Sequence, residues 1–253
     1  MNQAHFKGFP ARLFEFFAAL AENNSREWFD AHRREYETEV LGTVKAFVAD
    51  LGPLFRMLND EFETAPRVTR TISRINNDLR FHKTRPPYRP FLYVGFPRFG
   101  QKWSTEALLY VGLGRHGASV GFYPGGYKKT HTGAIQEGIK KNLRWFQRYL
   151  DERRIADSYW ELPESEDGGL QKWPLPTSAR RWVNMDNFII GQSFAAADVI
   201  AARRRFLDRA QQVMLDLYPL WLLATSENLK ADLELYEENR PALARPLTKA
   251  LGR

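Results

Sequence analysis

The sequence predicts a single domain of the α+β class, in which an antiparallel sheet packs against long helices. Apolar residues recur at helical spacing near both ends of the chain, whereas β-branched and aromatic residues dominate its middle. Neither a linker nor an internal repeat divides the 253 residues. Residues 1–253 are therefore interpreted as one domain, with its core at about 9–225 and an acidic segment at 227–238.

The apolar spacing places long helices toward both ends of the chain. The predicted helices lie at 10–22, 25–51, 132–154 and 195–223. Asn24 and Glu27 form a variant of the capping box, so we expect the Asn24 side chain to cap the second helix. Gly52 and Pro53 interrupt the pattern that follows, and the secure part of this helix therefore ends before them.

The middle of the chain has the pattern of strands. The predicted strands lie at 68–75, 91–96, 107–113, 118–123 and 187–194. Gly112-Leu-Gly-Arg-His-Gly117 matches the glycine spacing of dinucleotide-binding loops, but the residues after it continue as a strand and not as a helix. We therefore predict a hairpin turn between antiparallel strands, with no cofactor bound there.

Composition excludes several classes of site. The absence of cysteine removes disulfides, Cys-based zinc sites and thiol nucleophiles. The five histidines lack metal-binding spacing, so the sequence predicts no metal site, and it predicts no cofactor. Since no apolar run approaches the roughly 18 residues of a membrane span, we expect a cytoplasmic protein with no membrane partner. No pattern in the sequence sets an oligomeric state.

Positive charge is concentrated at 67–89, which we call the basic segment. The whole chain has 37 Lys and Arg against 30 Asp and Glu, a formal net charge of +7. The basic segment contains one acid, Asp78, and seven cationic residues, namely Arg67, Arg70, Arg74, Arg80, Lys83, Arg85 and Arg89. Arginine binds phosphate and carboxylate through paired donors, and Phe81 and Tyr88 lie among the charges, as stacking on nucleobases requires.

Three interpretations of the basic segment stay open. It is the solvated face of a structural or interaction protein without catalysis, or it binds a small phosphate- or carboxylate-bearing ligand. The third interpretation is a nucleic-acid-binding surface that also includes Lys140, Lys141, Arg144 and Arg148. Between the two binding functions we prefer the small anionic ligand. The candidate ligand-binding residues are Arg33, Arg74, Arg80, Lys83 and Tyr88. Asp78 and His82 are the candidates for acid–base catalysis, and no particular reaction is indicated.

Arg33 stands out because it follows the apolar spacing of its helix. It lies between Phe29 and Tyr36 on the stripe that should face the core, where a charge requires a partner. We predict an ion pair between Arg33 and Asp78 that docks the helix onto the basic segment. The alternative is that Arg33 contributes positive charge to a pocket.

Two motifs resemble those of a known family. Asn23-Asn-Ser-Arg-Glu-Trp-Phe29, and Arg74 to Phe81 continued by Lys83 to Tyr88, are similar to the paired motifs of a widespread bacterial family of conserved hypothetical proteins of unknown function. The resemblance covers roughly 9–223 and implies a single-domain cytoplasmic protein, but it brings no established activity. The chain departs from the family pattern where Asn77, His82 and Arg85 replace Arg, Ser and Lys, respectively. A role that needs an arginine beside Asp78 is therefore not expected here.

Overall fold

The structure, a computed structural model, describes residues 5–80, 84–103, 105–125, 130–162, 172–185 and 188–251. The helices are α1 (Ala11–Glu22), α2 (Arg26–Ala31), α3 (Arg33–Glu35), α4 (Thr43–Leu58), α5 (Thr130–Lys141), α6 (Leu143–Glu152), α7 (Ile155–Ser158), α8 (Ala179–Trp182), α9 (Ala196–Ala202), α10 (Phe206–Thr225), α11 (Leu229–Leu243) and α12 (Leu247–Ala250). The strands are β1 (Phe91–Gly95), β2 (Leu108–Gly114), β3 (Gly117–Tyr123), β4 (Trp160–Leu162), β5 (Trp173–Pro174) and β6 (Ile189–Ala195). A π-helical turn at Tyr36–Gly42 joins α3 to α4, and a 3₁₀ turn at Arg203–Arg205 joins α9 to α10.

The described strands form one antiparallel sheet in the order β1-β2-β3-β6-β4-β5. β2 and β3 are joined by a tight turn, in which Gly114 faces Gly117 across the ladder. Because a strand follows this turn directly, the predicted hairpin is confirmed. β6 pairs with the other side of β3, with Ile190 opposite Phe122. Together with the helices, this sheet confirms the predicted α+β class.

The core is organised around α10, which packs across β2, β3 and β6 and is covered by α4, α5 and α11. Every residue from Val213 to Ala224 is buried, as expected for a helix enclosed on all sides.

The predicted acidic segment lies mostly in a folded helix, α11. Its residues Leu233 and Tyr236 are buried, its glutamates are exposed, and Asp232 is half-buried. Within the described residues, no helix is both long and apolar enough to cross a bilayer.

A buried carboxylate fastens α10 to its neighbours. Asp216, 8% exposed, accepts hydrogen bonds from Tyr159 Oη at 2.6 Å, from Arg240 Nη2 at 2.6 Å and from Gln212 Nε2 at 2.9 Å. Burial, followed by the charge of Asp216, raises the pKa of Tyr159 well above its usual value, so this hydroxyl stays protonated and donates. The carboxylate thus ties α10 to α11 and to the segment before β4.

The predicted long helices are interrupted at polar side chains. The helix expected at 25–51 breaks at His32, whose Nδ1 lies 2.8 Å from the Trp28 carbonyl oxygen. The helix expected at 132–154 breaks at Asn142, whose side-chain amide donates to the Gly138 carbonyl at 2.9 Å. Each of these carbonyls also accepts the backbone N–H of the same residue, at 3.1 Å, so the polar side chain shares the last helical acceptor at the point where the helix ends. The last predicted helix, 195–223, breaks at Arg203, which has a positive φ of 50°.

The strand predicted at 68–75 is wrong. The chain turns sharply at Thr69, which has a positive φ of 73°, and the Arg67 carbonyl accepts hydrogen bonds from the N–H groups of Arg70, Thr71 and Ile72. Only isolated bridges remain, including one between Ile72 and Val94 that attaches the segment to β1. A segment rich in β-branched residues therefore forms a turn here, because several of its backbone groups are satisfied locally.

Candidate functional site

The two sequence motifs meet where Asn24 faces Tyr88. The Asn24 side-chain amide donates to the Tyr88 carbonyl at 2.8 Å, and the Tyr88 N–H donates to Asn24 Oδ1 at 3.0 Å. The predicted capping role of Asn24 is wrong by one residue, because Ser25 caps α2 and accepts from the Trp28 N–H at 3.1 Å. Asn24 instead fastens the start of α2 to the end of the basic segment.

Aromatic packing reinforces this junction. The Tyr88 ring stacks on Phe29 with centroids 4.0 Å apart and an interplanar angle of 17°. The Arg33 guanidinium lies 5.2 Å from the Phe29 centroid. Tyr88 is only 5% exposed, so one face of its ring is covered and its described contacts are with the fold itself. The predicted ligand-binding residue Tyr88 thus has a clear structural role.

Asn77 joins the middle of the basic segment to its end at residues 86–89. Its side-chain amide donates to the Pro86 carbonyl at 2.8 Å and to the Tyr88 carbonyl at 3.3 Å, while its Oδ1 accepts from Arg89 Nε at 3.0 Å. Its backbone N–H donates to the Pro87 carbonyl at 2.9 Å. Sequence analysis did not predict this role of Asn77. The available signal was that Asn77 stands where the family pattern has arginine.

The predicted ion pair between Arg33 and Asp78 is wrong. Among the described residues, Arg33 pairs with Asp30, and both Asp78 oxygens accept from Arg80, at 3.0 and 2.6 Å. The break at His32 turns Arg33 toward solvent, where 53% of its side chain is exposed. The hydrogen bond that Arg33 donates to Asp30 is the main cause that raises the pKa of Arg33, and the hydrogen bonding of Arg80 to Asp78 is the main cause that raises the pKa of Arg80.

The described arginines of the basic segment lie mostly at the surface. Exposed side chains belong to Arg67, Arg70, Arg74, Arg80 and Arg85, and Arg89 is half-buried. Arg70 Nε lies 3.9 Å from Glu63 Oε2. Arg67 and Arg74 form no ion pair or side-chain hydrogen bond in the described part of the chain. The candidates Lys83 and His82, together with Phe81, fall outside the described residues.

We expect Asn24→Ala to lower the free energy of unfolding by about 1–3 kcal/mol, because it leaves the Tyr88 N–H without a partner in a partly buried place and leaves the Tyr88 carbonyl with only its longer bond to Asn77. Urea denaturation followed by circular dichroism measures the change. Asn23→Ala is the matched control, since the Asn23 amide donates to the Ala19 carbonyl at an exposed position. The control should change stability by less than about 0.5 kcal/mol. Equal losses in the two variants would contradict the role given to Asn24.

Comparison with known proteins places this α+β chain among proteins without an assigned activity. The chain belongs to the family described as "Conserved hypothetical protein (DUF2461)", whose profile matches residues 12–221. The family resemblance given by the two motifs is therefore confirmed. No curated protein matches the chain. In the described part of the chain, no three His, Asp or Glu residues are grouped as metal ligands.

Proposed function

We propose that the protein binds a phosphate-bearing ligand through the exposed arginines of the basic segment, and that this ligand presents more than one phosphate. The proposal is carried by Arg67 and Arg74. Both are exposed, and within the described residues neither is neutralised by a carboxylate, so both are available to an anion. Unpaired guanidinium groups are the side chains best suited to bidentate phosphate binding.

The exposure of the arginines favours a ligand with several phosphates. Side-chain exposure is 53% for Arg33 and 79% for Arg80, so neither is held in a desolvated pocket. Water and salt weaken each exposed ion pair, and a single phosphate would therefore bind poorly. Several contacts made at once provide useful affinity, as they do on nucleic-acid backbones.

The same surface favours contacts to phosphates over contacts to bases. The Tyr88 ring is stacked on Phe29 and only 5% exposed, so it does not offer an open face to a nucleobase. Asp78 is held by Arg80 through both oxygens, which gives its carboxylate a structural partner. The proposal therefore concerns binding, and it assigns no reaction to Asp78 or His82.

Titration at several salt concentrations tests the proposal. The probes are a fluorescent single-stranded oligonucleotide, ATP and inorganic phosphate, and the variant is Arg67→Ala with Arg74→Ala. We expect the wild type to bind the oligonucleotide with an affinity that falls steeply with salt. Removal of two phosphate contacts should reduce the log–log salt slope by about 1.4, since each single-strand contact contributes about 0.7. Saturable binding of ATP with a shallow salt response would identify a small ligand as the phosphate source.

The matched control removes two exposed cations from α5, outside the basic segment. Lys140→Ala with Lys141→Ala changes the net charge equally on α5, and it should leave both the affinity and the salt slope unchanged. Equal weakening by the two double variants would show nonspecific attraction to a cationic protein and overturn the proposal. Failure of all three probes to bind at low salt would also overturn it, leaving a solvated surface.

A further inference from the structure

A cavity of about 520 Å³ lies on another part of the molecule, between the end of α4, the end of α10 and α11. Its volume falls in the range of roughly 300–1,000 Å³ that is typical of small-molecule sites. No residue of the basic segment contributes to its lining. The cavity is therefore independent of the phosphate surface.

The charge of the lining is opposite to that of the whole chain. Its acidic residues are Asp60, Glu61, Glu227 and Asp232. Asp60, Glu61 and Glu227 have no ion-pair partner in the described part of the chain, and Asp232 accepts from the Ser226 hydroxyl. A protein with a formal net charge of +7 thus carries a concave surface with unpaired negative charge. Such a surface attracts cations.

The lone cation of the described lining, Arg98, is already engaged. Its Nη2 lies 3.0 Å and its Nε 3.3 Å from the carboxylate of Glu106, which is 2% exposed. Its guanidinium also lies 6.0 Å from the Trp221 ring centroid. Arg98 therefore compensates a buried acid below the cavity and does not neutralise the carboxylates around it.

The lining of the cavity also supplies apolar surface. Tyr218 and Trp221 stack in the floor with centroids 5.4 Å apart, and their hydrogen-bonding groups are directed to the backbone. Met57 and Leu235 on the rim are each 59% exposed, which is unusual for large apolar side chains. A lining that combines carboxylates with exposed apolar side chains matches a chain of methylene groups that carries several ammonium groups.

We infer that this cavity is a binding site for a linear organic polyamine. The ammonium groups would contact the carboxylates of Asp60, Glu61 and Glu227, and the methylene groups would pack on Met57 and Leu235. A metal ion fits less well, because within the described residues the acids are not gathered into a group of three ligands. This inference does not depend on the phosphate-binding proposal.

Isothermal titration calorimetry with spermidine tests the site. The variant is Asp60→Asn with Glu227→Gln, which removes two exposed charges with little change of shape. Each carboxylate lost should weaken binding by about fivefold, the upper range for an exposed ion pair. Asn239→Arg, which places a cation in the lining of the cavity, should abolish binding. Thermal denaturation without spermidine checks that each variant remains folded.

The matched control is Glu234→Gln with Glu238→Gln, which removes two charges from α11 outside the lining. Spermidine should bind this control and the wild type with equal affinity. Two ligand controls test the charges and the methylene groups of spermidine one at a time. The first, 1,8-octanediol, has methylene groups but no charge, and the second, MgCl₂, has a cation but no methylene groups. Neither should compete with spermidine at equal concentration.

Three results would overturn the inference. The first is the absence of saturable spermidine binding at low salt. The second is an equal loss of affinity in the two double variants, or equal binding of magnesium, either of which indicates nonspecific screening. The third is concentration-dependent association of the protein that spermidine reverses, because the cavity would then hold a cationic segment of a second copy.

Discussion

Replacement of Asp216 by alanine is expected to lower the free energy of unfolding by about 3–5 kcal/mol. The substitution leaves the Arg240 guanidinium without its carboxylate and the buried Tyr159 hydroxyl without its acceptor. Breaking one side of such a pair is costly because an uncompensated charge remains in a place shielded from water. Urea denaturation of the wild type and the variant at neutral pH measures the loss.

Two further variants isolate the cause of that loss. Glu15→Ala removes an exposed carboxylate that lies 3.8 Å from Arg12, and it should cost less than about 1 kcal/mol. Asp216→Ala combined with Arg240→Met should lose less stability than the two single changes added together, because no charge is then left unpaired. Strict additivity would contradict the coupling of Asp216 and Arg240.

Gly117→Ala is expected to cost about 3 kcal/mol or more, through backbone strain and steric overlap together. Gly117 has a φ of 144°, which L side chains rarely adopt. A Cβ atom there would lie 2.0 Å from the Phe194 carbonyl oxygen, and a backbone atom of the paired strand β6 cannot move away cheaply. Chemical denaturation measures the cost, and a large loss of soluble protein would agree with it.

Gly133→Ala is the matched control for Gly117→Ala. Gly133 lies on α5, and a Cβ atom there would meet nothing within 4 Å. Alanine should therefore stabilise this helix by about 0.5–1 kcal/mol. A gain at Gly133 together with a loss at Gly117 would show that position decides the effect. Equal small effects at the two positions would contradict the close approach of β6 to the β2–β3 turn.

Periodic patterns predicted the larger elements of this fold well. The hairpin of β2 and β3 follows from runs of apolar and aromatic residues on both sides of a short glycine-containing turn. The helix interruptions at His32 and Asn142 could not be predicted from apolar spacing, because they occur where a polar side chain shares a helix carbonyl with its own backbone N–H. The acidic segment was expected from its charge, but its packing on α10 depends on the few apolar residues between the charges.

The candidate site was less predictable than the fold. The abundance of arginine in the basic segment is visible in the sequence, and most of those described are exposed. The partner of Arg33 was predicted incorrectly, because its direction depends on the break at His32. The bonds of Asn24 to Tyr88 join residues 64 positions apart, and such contacts leave no local pattern. The cavity beside α11 likewise combines residues from distant parts of the chain.

The strand order of the sheet has a consequence for synthesis of the chain. β1, β2 and β3 are neighbours both in sequence and in the sheet, so they can pair as soon as they leave the ribosome. The other side of β3 pairs with β6, which is made only after residues 124–188. Until then the nascent protein carries an open strand with unpaired N–H and carbonyl groups. Intermolecular strand pairing competes with folding during that interval, and arrival of β6 ends it.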